Sequence, residues 1–300
     1  MTGELTPTLV AGTDSDREAT HERDTAARPQ SRRPRVRRTG RSGAAGSGRL
    51  VAIVPPLLAV AVMVGVWELA VAVSGVKPYV LPSATRVLSV MVKNRADLWE
   101  NTLPTLQETL IGIGVTVIVS FVIAVLCDFS VWARRTIYPP LIGSQSIPII
   151  VLAPLMVIWF GFGLLPKVIV IALVTFFPIT VALIDGFNST SPEATNLLRS
   201  MGASRLQQFL KVRLPTALPG FFTGLRISIA FSVVAAIFGE YVGAVRGLGV
   251  YMSVQGNSNR TDLVLAAVII SAAISIVLFC LTFVLERLVC PWSKPSGGRQ

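Results

Sequence analysis

The strongest constraint on this chain is its succession of apolar runs of membrane length. They cover about Leu50–Val73, Leu103–Cys127, Ile137–Phe160, Val168–Asp185, Ala217–Phe238 and Asp262–Leu285. A helix rises about 1.5 Å per residue and needs roughly 20 apolar residues to cross a hydrocarbon core. Inside that core every backbone N–H and C=O must be satisfied within the segment or its partners, so runs of this kind become helices. The expected fold is therefore an all-α polytopic membrane protein with about six transmembrane helices. Composition agrees, with 52% hydrophobic and only 14% charged residues, a balance foreign to soluble domains.

The charge of +11 is distributed in a way that argues for orientation rather than nucleic-acid binding. Ten arginines lie in residues 1–49, beside six acidic residues and almost no apolar content. Such a stretch cannot bury enough surface to offset its ordering entropy, so a disordered Arg-rich cytoplasmic tail is expected. Its RRPRVRR cluster, Arg32 to Arg38, suits anionic lipid headgroups, and its long basic region without a small-residue cleavage site argues against a signal peptide. With both ends inside, nineteen Lys and Arg fall in cytoplasmic segments and seven in outer ones, as the positive-inside rule requires. The expected organisation is a tail over 1–49, a transmembrane domain over 50–288 and a cytoplasmic C-terminal tail over 289–300.

Two stretches break the apolar pattern. The third run carries Pro139, Pro140, Pro148 and Pro154, which predicts a kinked span facing protein or a water-lined path rather than lipid. The other is polar: SPEATNLLRSMGASRLQQFLKVRLP, Ser191 to Pro215, between the fourth and fifth runs. Ser191 suits an N-cap, Pro192 the first helical position and Glu193 the positive end of the dipole. Gly202 can end that helix in the left-handed conformation. Ser204 and Gln207 form an S-x-x-Q box opening a second helix, with Leu206, Phe209 and Leu210 apolar and Pro215 closing it. A soluble helix–turn–helix hung between spans reads as a docking surface, against the plainer alternative of an amphipathic connector.

The spacing Gly202, nine residues, Val212, one residue, Leu214-Pro215 resembles the EAA loop of ABC importer permeases. The run GAS-x4-F-x-K-V-x-LP-x-ALPG from Gly202 to Gly220, and the text from Ile147 to Gly186 with its PL-x3-WFG core, are similar to the nitrate/sulfonate/taurine branch. The positions of the family's Glu-Ala-Ala are Asn196, Leu197 and Leu198 here, and Glu193 lies about one turn earlier. The resemblance spans about Leu50 to Leu288. It implies that Ser191–Pro215 is a coupling helix, with Glu193, Asn196, Gly202, Ala203, Ser204, Phe209, Leu214 and Pro215 as its coupling residues. It also implies the partners: a cytoplasmic ABC ATPase dimer, an extracytoplasmic solute-binding protein and a second permease copy as homodimer. The implied location is a bacterial inner membrane, multi-pass. ATP would be used by the partner, with no cofactor bound by this chain. The GEYVGAVRGLG run, Gly239 to Gly249, looks closer to relatives handling thiamine-pyrimidine precursors or riboflavin than to sulfonate carriers.

Chemistry is sparse. No glycine precedes a lysine, so no Walker A loop is present, and HExxH, CxxC and GxSxG are all missing. The lone histidine, His21, lies in the tail, and three cysteines without metal-like spacing read as packing residues. No catalytic or metal-binding residue is expected, and an enzyme is disfavoured. Candidates for the translocation path are Ser144, Gln145 and Ser146 beside the prolines, Ser228 and Ser232 four apart on one helical face, and Arg226, deepest of the charges noted within a span. The plainer alternatives are serines bonded to their own backbone and Arg226 paired with Asp185 instead of a solute anion. Two rival readings stand beside the importer: an ion-gradient-driven carrier, which favours more buried carboxylates than these, and a membrane scaffold working through its basic tail.

Overall fold

A computed structural model describes residues 47–292; the expected tail over 1–49 lies almost wholly outside these, as does most of 289–300. Among the described residues all regular secondary structure is helical. In order, it forms α1 (Ser47–Ser74), α2 (Ala84–Lys93), α3 (Arg95–Phe129), α4 (Val131–Ser144), α5 (Ile149–Phe160), α6 (Leu164–Asn188), α7 (Pro192–Ser200), α8 (Arg205–Gln208), a π-helical turn (Phe209–Arg213), α9 (Leu214–Gly243), α10 (Leu248–Asn257) and α11 (Thr261–Val289). Residues 54–292 belong to one compact unit.

Four helical stretches are long and apolar enough to cross a membrane: Arg95–Phe129, Leu164–Asn188, Arg205–Gly243 and Thr261–Val289. The α4–α5 pair makes a fifth if counted as one broken span. The apolar part of α1, Leu58–Ser74, is shorter. The expected third span is therefore not one kinked rod. Gln145–Pro148 interrupts it and the two pieces meet at 107°, because Pro148 disfavours helix at the residue before it and brings no N–H of its own. The expected outer loop Gly239–Thr261 is also largely helical, holding the end of α9 and all of α10.

Close approach of small residues organises the bundle. On α6 and α9, Gly186 faces Ala217, Gly220 faces the Ala182 carbonyl and Gly224 lies where a Cβ would come within 2.6 Å of the Pro178 oxygen. Small residues let backbones approach where lipid offers helices no hydrophobic incentive to associate. Around this contact, Ile179, Leu183, Phe187, Phe222, Leu225, Ile229 and Val233 are buried. Hydroxyls stitch α3 to α6 and α9: Thr116 and Thr175 are 2.9 Å apart, and Ser228 donates to the Thr175 carbonyl at 2.6 Å. Glu68 of α1 accepts from the Ala84 N–H at 2.7 Å and the Thr85 hydroxyl at 2.8 Å, so it caps the start of α2.

Candidate functional site

The Ser191–Pro215 segment builds much as its residues dictate. Ser191 accepts from the Ala194 N–H at 3.1 Å and Pro192 opens α7. Hydrogen bonds from its own N–H and from Ser191 hold the Glu193 carboxyl below the usual carboxylate range. Gly202, at φ +79°, ends the helix. The capping box is complete: the Gln207 N–H donates to the Ser204 hydroxyl and the Ser204 N–H donates to the Gln207 side chain at 2.8 Å.

Pro215, however, does not close the second helix. The π-helical turn follows α8 directly and Pro215 sits at the start of α9, so Arg205–Gly243 runs as one continuous helical stretch. A first-turn proline costs a helix nothing. Here the Leu214 N–H reaches back five residues to the Phe209 carbonyl and the Thr216 hydroxyl bonds the Val212 carbonyl.

The segment has two faces. Leu197, Met201, Leu206 and Leu210 are 63%, 73%, 59% and 51% exposed, apolar side chains left uncovered among the described residues. Glu193, Asn196, Gly202 and Ser204 are exposed beside it and Ala203 is half-buried. Phe209 points the other way, buried between Phe129 and Phe187 with ring centroids 5.4 and 5.3 Å away. Leu214 packs against the same core and Pro215 is half-buried. Arg213 pairs with Asp128 at 2.7 Å, so the segment is fastened to the end of α3.

The expected path residues are dispersed. Gln145 and Ser146 are exposed at the α4–α5 bend, and Ser144 beside them bonds the Leu141 carbonyl at 2.7 Å. Ser228 and Ser232 are fully buried, with hydroxyls given to the Thr175 and Ile229 carbonyls. Arg226 does not pair with Asp185. It bonds Glu286 at 2.6 Å and lies 4.4 Å over the Phe283 ring, because its face of α9 looks toward α11, while Asp185 is exposed on α6. Among the described residues no group of His, Cys, Asp and Glu is placed to hold a metal ion.

Sequence reasoning missed a polar cluster at the opposite end of the bundle. Lys167 of α6 meets Glu108 of α3 at 2.5 Å, with side chains 8% and 7% exposed. Beside them Glu240 of α9 accepts from the Thr105 hydroxyl and the Gly249 N–H, both at 2.6 Å. The Leu248 N–H donates to Thr105 at 2.9 Å and the Gly247 N–H to Asn101 at 3.2 Å. A Cβ at Gly247 would fall 2.3 Å from the Glu240 carboxyl, and one at Gly249 2.5 Å from the Ile237 carbonyl. The GLG run is thus a turn wrapped around a carboxylate. The signal was present in the sequence, as a glutamate well inside the second apolar run and a lysine at the edge of the fourth.

The comparisons with known proteins bear on all of this. Residues 116–290 match the family model described as binding-protein-dependent transport system inner membrane component. The chain belongs to this family of ABC importer permeases. It is 35% identical over 244 residues to the formylaminopyrimidine transport permease protein of Halalkalibacterium halodurans, covering 81% of this chain and 97% of the relative. It is 29% identical over 239 residues to the taurine transport system permease protein of Escherichia coli, covering 77% and 87%. The fold is shared with a crystal structure of an amino acid ABC transporter with histidines, at TM-score 0.53 and 20% identity, covering 68% of this permease and 97% of that chain.

Proposed function

We propose that this permease forms, as a homodimer, the translocation path of an ATP-driven importer and docks a cytoplasmic ATPase dimer through Ser191–Pro215. The observation that carries the reading is the set of exposed apolar residues Leu197, Met201, Leu206 and Leu210, on a segment whose Phe209 is sunk into the core of the helix bundle. A surface of this kind needs a partner. Motion of that partner would reach α9 directly, since α8 continues into it without a break. In this topology α1 supplies the sixth span, both termini are cytoplasmic, and a solute-binding protein delivers to the face carrying α10. ATP binding and hydrolysis by the partner would bias two arrangements of the spans, moving the cavity from inward- to outward-facing.

The solute is a small molecule of the class handled by the nitrate, sulfonate and taurine branch. Greater identity to the formylaminopyrimidine permease than to the taurine one favours the alternative, a thiamine-pyrimidine precursor carried by the same machinery.

The test is gentle-detergent purification of a tagged chain with mass spectrometry of its companions. An ABC ATPase should co-purify stoichiometrically, and Leu206→Glu or Met201→Glu should release it while the permease stays folded, because both positions are exposed. Retention of the ATPase and full uptake by the double variant would refute the docking face. The co-purified or co-encoded binding protein, screened with pyrimidine precursors, riboflavin, taurine and nitrate, would identify the solute.

A further inference from the structure

The buried cluster opposite the docking segment has an unbalanced charge. Two carboxyls, Glu108 and Glu240, share the interior with one ammonium, Lys167. The groups facing Glu240 are Glu108 and Thr105 from α3, Lys167 from α6 and, from the α10 side, the Gly249 N–H. Those facing Glu108 are Lys167 and Glu240. The nearby Arg246–Glu100 pair is exposed at 67% and 57% and adds no buried charge. Both Glu240 oxygens already accept hydrogen bonds, from Thr105 and Gly249. Glu108 Oε1 accepts from Lys167, but its Oε2 is buried without any partner. A buried carboxylate oxygen without a donor, in a site one positive charge short, lacks one proton.

We infer that Glu108 and Glu240 form a buried proton-binding site, holding one proton between them at neutral pH and thereby locking the GLG turn and α10 onto the ends of α3, α6 and α9. A hydrogen on Glu108 Oε2, donated to Glu240, satisfies the orphaned oxygen and makes the triad neutral. Like charges in contact cannot both ionise cheaply out of water, and a carboxyl pair of this sort shares its proton. Glu240 holds the first N–H groups of α10 through Gly249 directly and Leu248 through Thr105. Loss of the proton leaves a second negative charge against that anchor and draws in water, which lifts α10. Gly239 completes the fit: a Cβ there would sit 3.4 Å from Lys167 Cβ and Cγ, so the lysine stem crosses α9 at a glycine.

Two measurements on the full-length purified permease test this. Infrared spectroscopy at neutral pH should show a protonated-carboxyl C=O band that shifts in D2O and disappears in both Glu108→Gln and Glu240→Gln, since removing either member leaves a single carboxylate beside Lys167. Maleimide reactivity of Met252→Cys, buried on α10, divided by that of a cysteine at exposed Asn257 so that the thiol's own ionisation cancels, should rise about tenfold between neutral and alkaline pH, and Glu108→Gln, whose amide supplies a permanent donor, should flatten that ratio. Absence of the band in the unsubstituted chain, its survival in either variant, or a pH profile unchanged in Glu108→Gln would each overturn the proposal. So would protection of Met252→Cys by sodium in place of protons, which would make the site one for a metal cation.

Discussion

Arg226 shows how much of a charged residue's meaning lies in what faces it. Alone in an apolar run it reads as a ligand for a solute anion or as a partner of Asp185. In the structure its guanidinium is neutralised by Glu286 and stacked on Phe283, a pairing of the kind that makes intramembrane charges affordable. Arg226→Gln should therefore cost about 1–3 kcal/mol of stability by leaving the partly buried Glu286 carboxylate unpaired. Glu286→Gln in the same chain should recover most of it. Thermal unfolding of the detergent-solubilised single and double variants measures this coupling, and the uptake KM of the double variant should stay near that of the unsubstituted chain. The path serines are similar: Ser228 and Ser232 share a helical face as their spacing predicts, but that face packs inward and both hydroxyls are spent on carbonyls.

At the scale of elements, caps and breaks were legible wherever the information was local. Ser191, Gly202 and the Ser204–Gln207 box act as their neighbours in sequence dictate. Pro215 was misread because a proline marks either the end of one helix or the first turn of the next, and only the packing behind it decides which. That packing is centred on Phe209, clamped between Phe129 and Phe187. Phe209→Ala should cost about 3 kcal/mol or more, whereas Phe209→Leu, nearer in volume, should cost less than about 1.5 kcal/mol. In vesicles reconstituted with its partner ATPase, the alanine variant should leave ATP hydrolysis running with uptake per ATP reduced severalfold, because the exposed apolar residues proposed to dock the ATPase remain but their root in the bundle is loosened. The paired uptake and phosphate-release rates check this. The same logic governs α6 and α9: Gly224 lies against the Pro178 carbonyl, a contact invisible until the two helices are brought together.

For the whole molecule, the bundle sorts its polar groups to two ends, with the Ser191–Pro215 segment at one and the Glu108–Lys167–Glu240 cluster under α10 at the other. Cysteines placed at exposed Ser200 and exposed Asn257 should accordingly label from opposite sides of the membrane. A membrane-impermeant maleimide applied to sealed cells should modify Asn257→Cys at least tenfold faster than Ser200→Cys. The sequence by itself determined that the chain is helical and membrane-spanning, where most spans run, and that one polar segment between them is built from two capped helices. Each of these depends on apolar length or on residues within one turn of each other, and such information survives without a fold. Tertiary structure alone decided that the proline-rich span breaks at 107° and that Arg226 chooses Glu286 over Asp185. It alone assembled the buried cluster from Glu108, Lys167 and Glu240, on three helices 59 and 73 positions apart in sequence. The physical reason is that charge compensation and close packing act through space: a carboxylate is costly or satisfied according to what the other helices bring to it, and no periodicity along the chain records that.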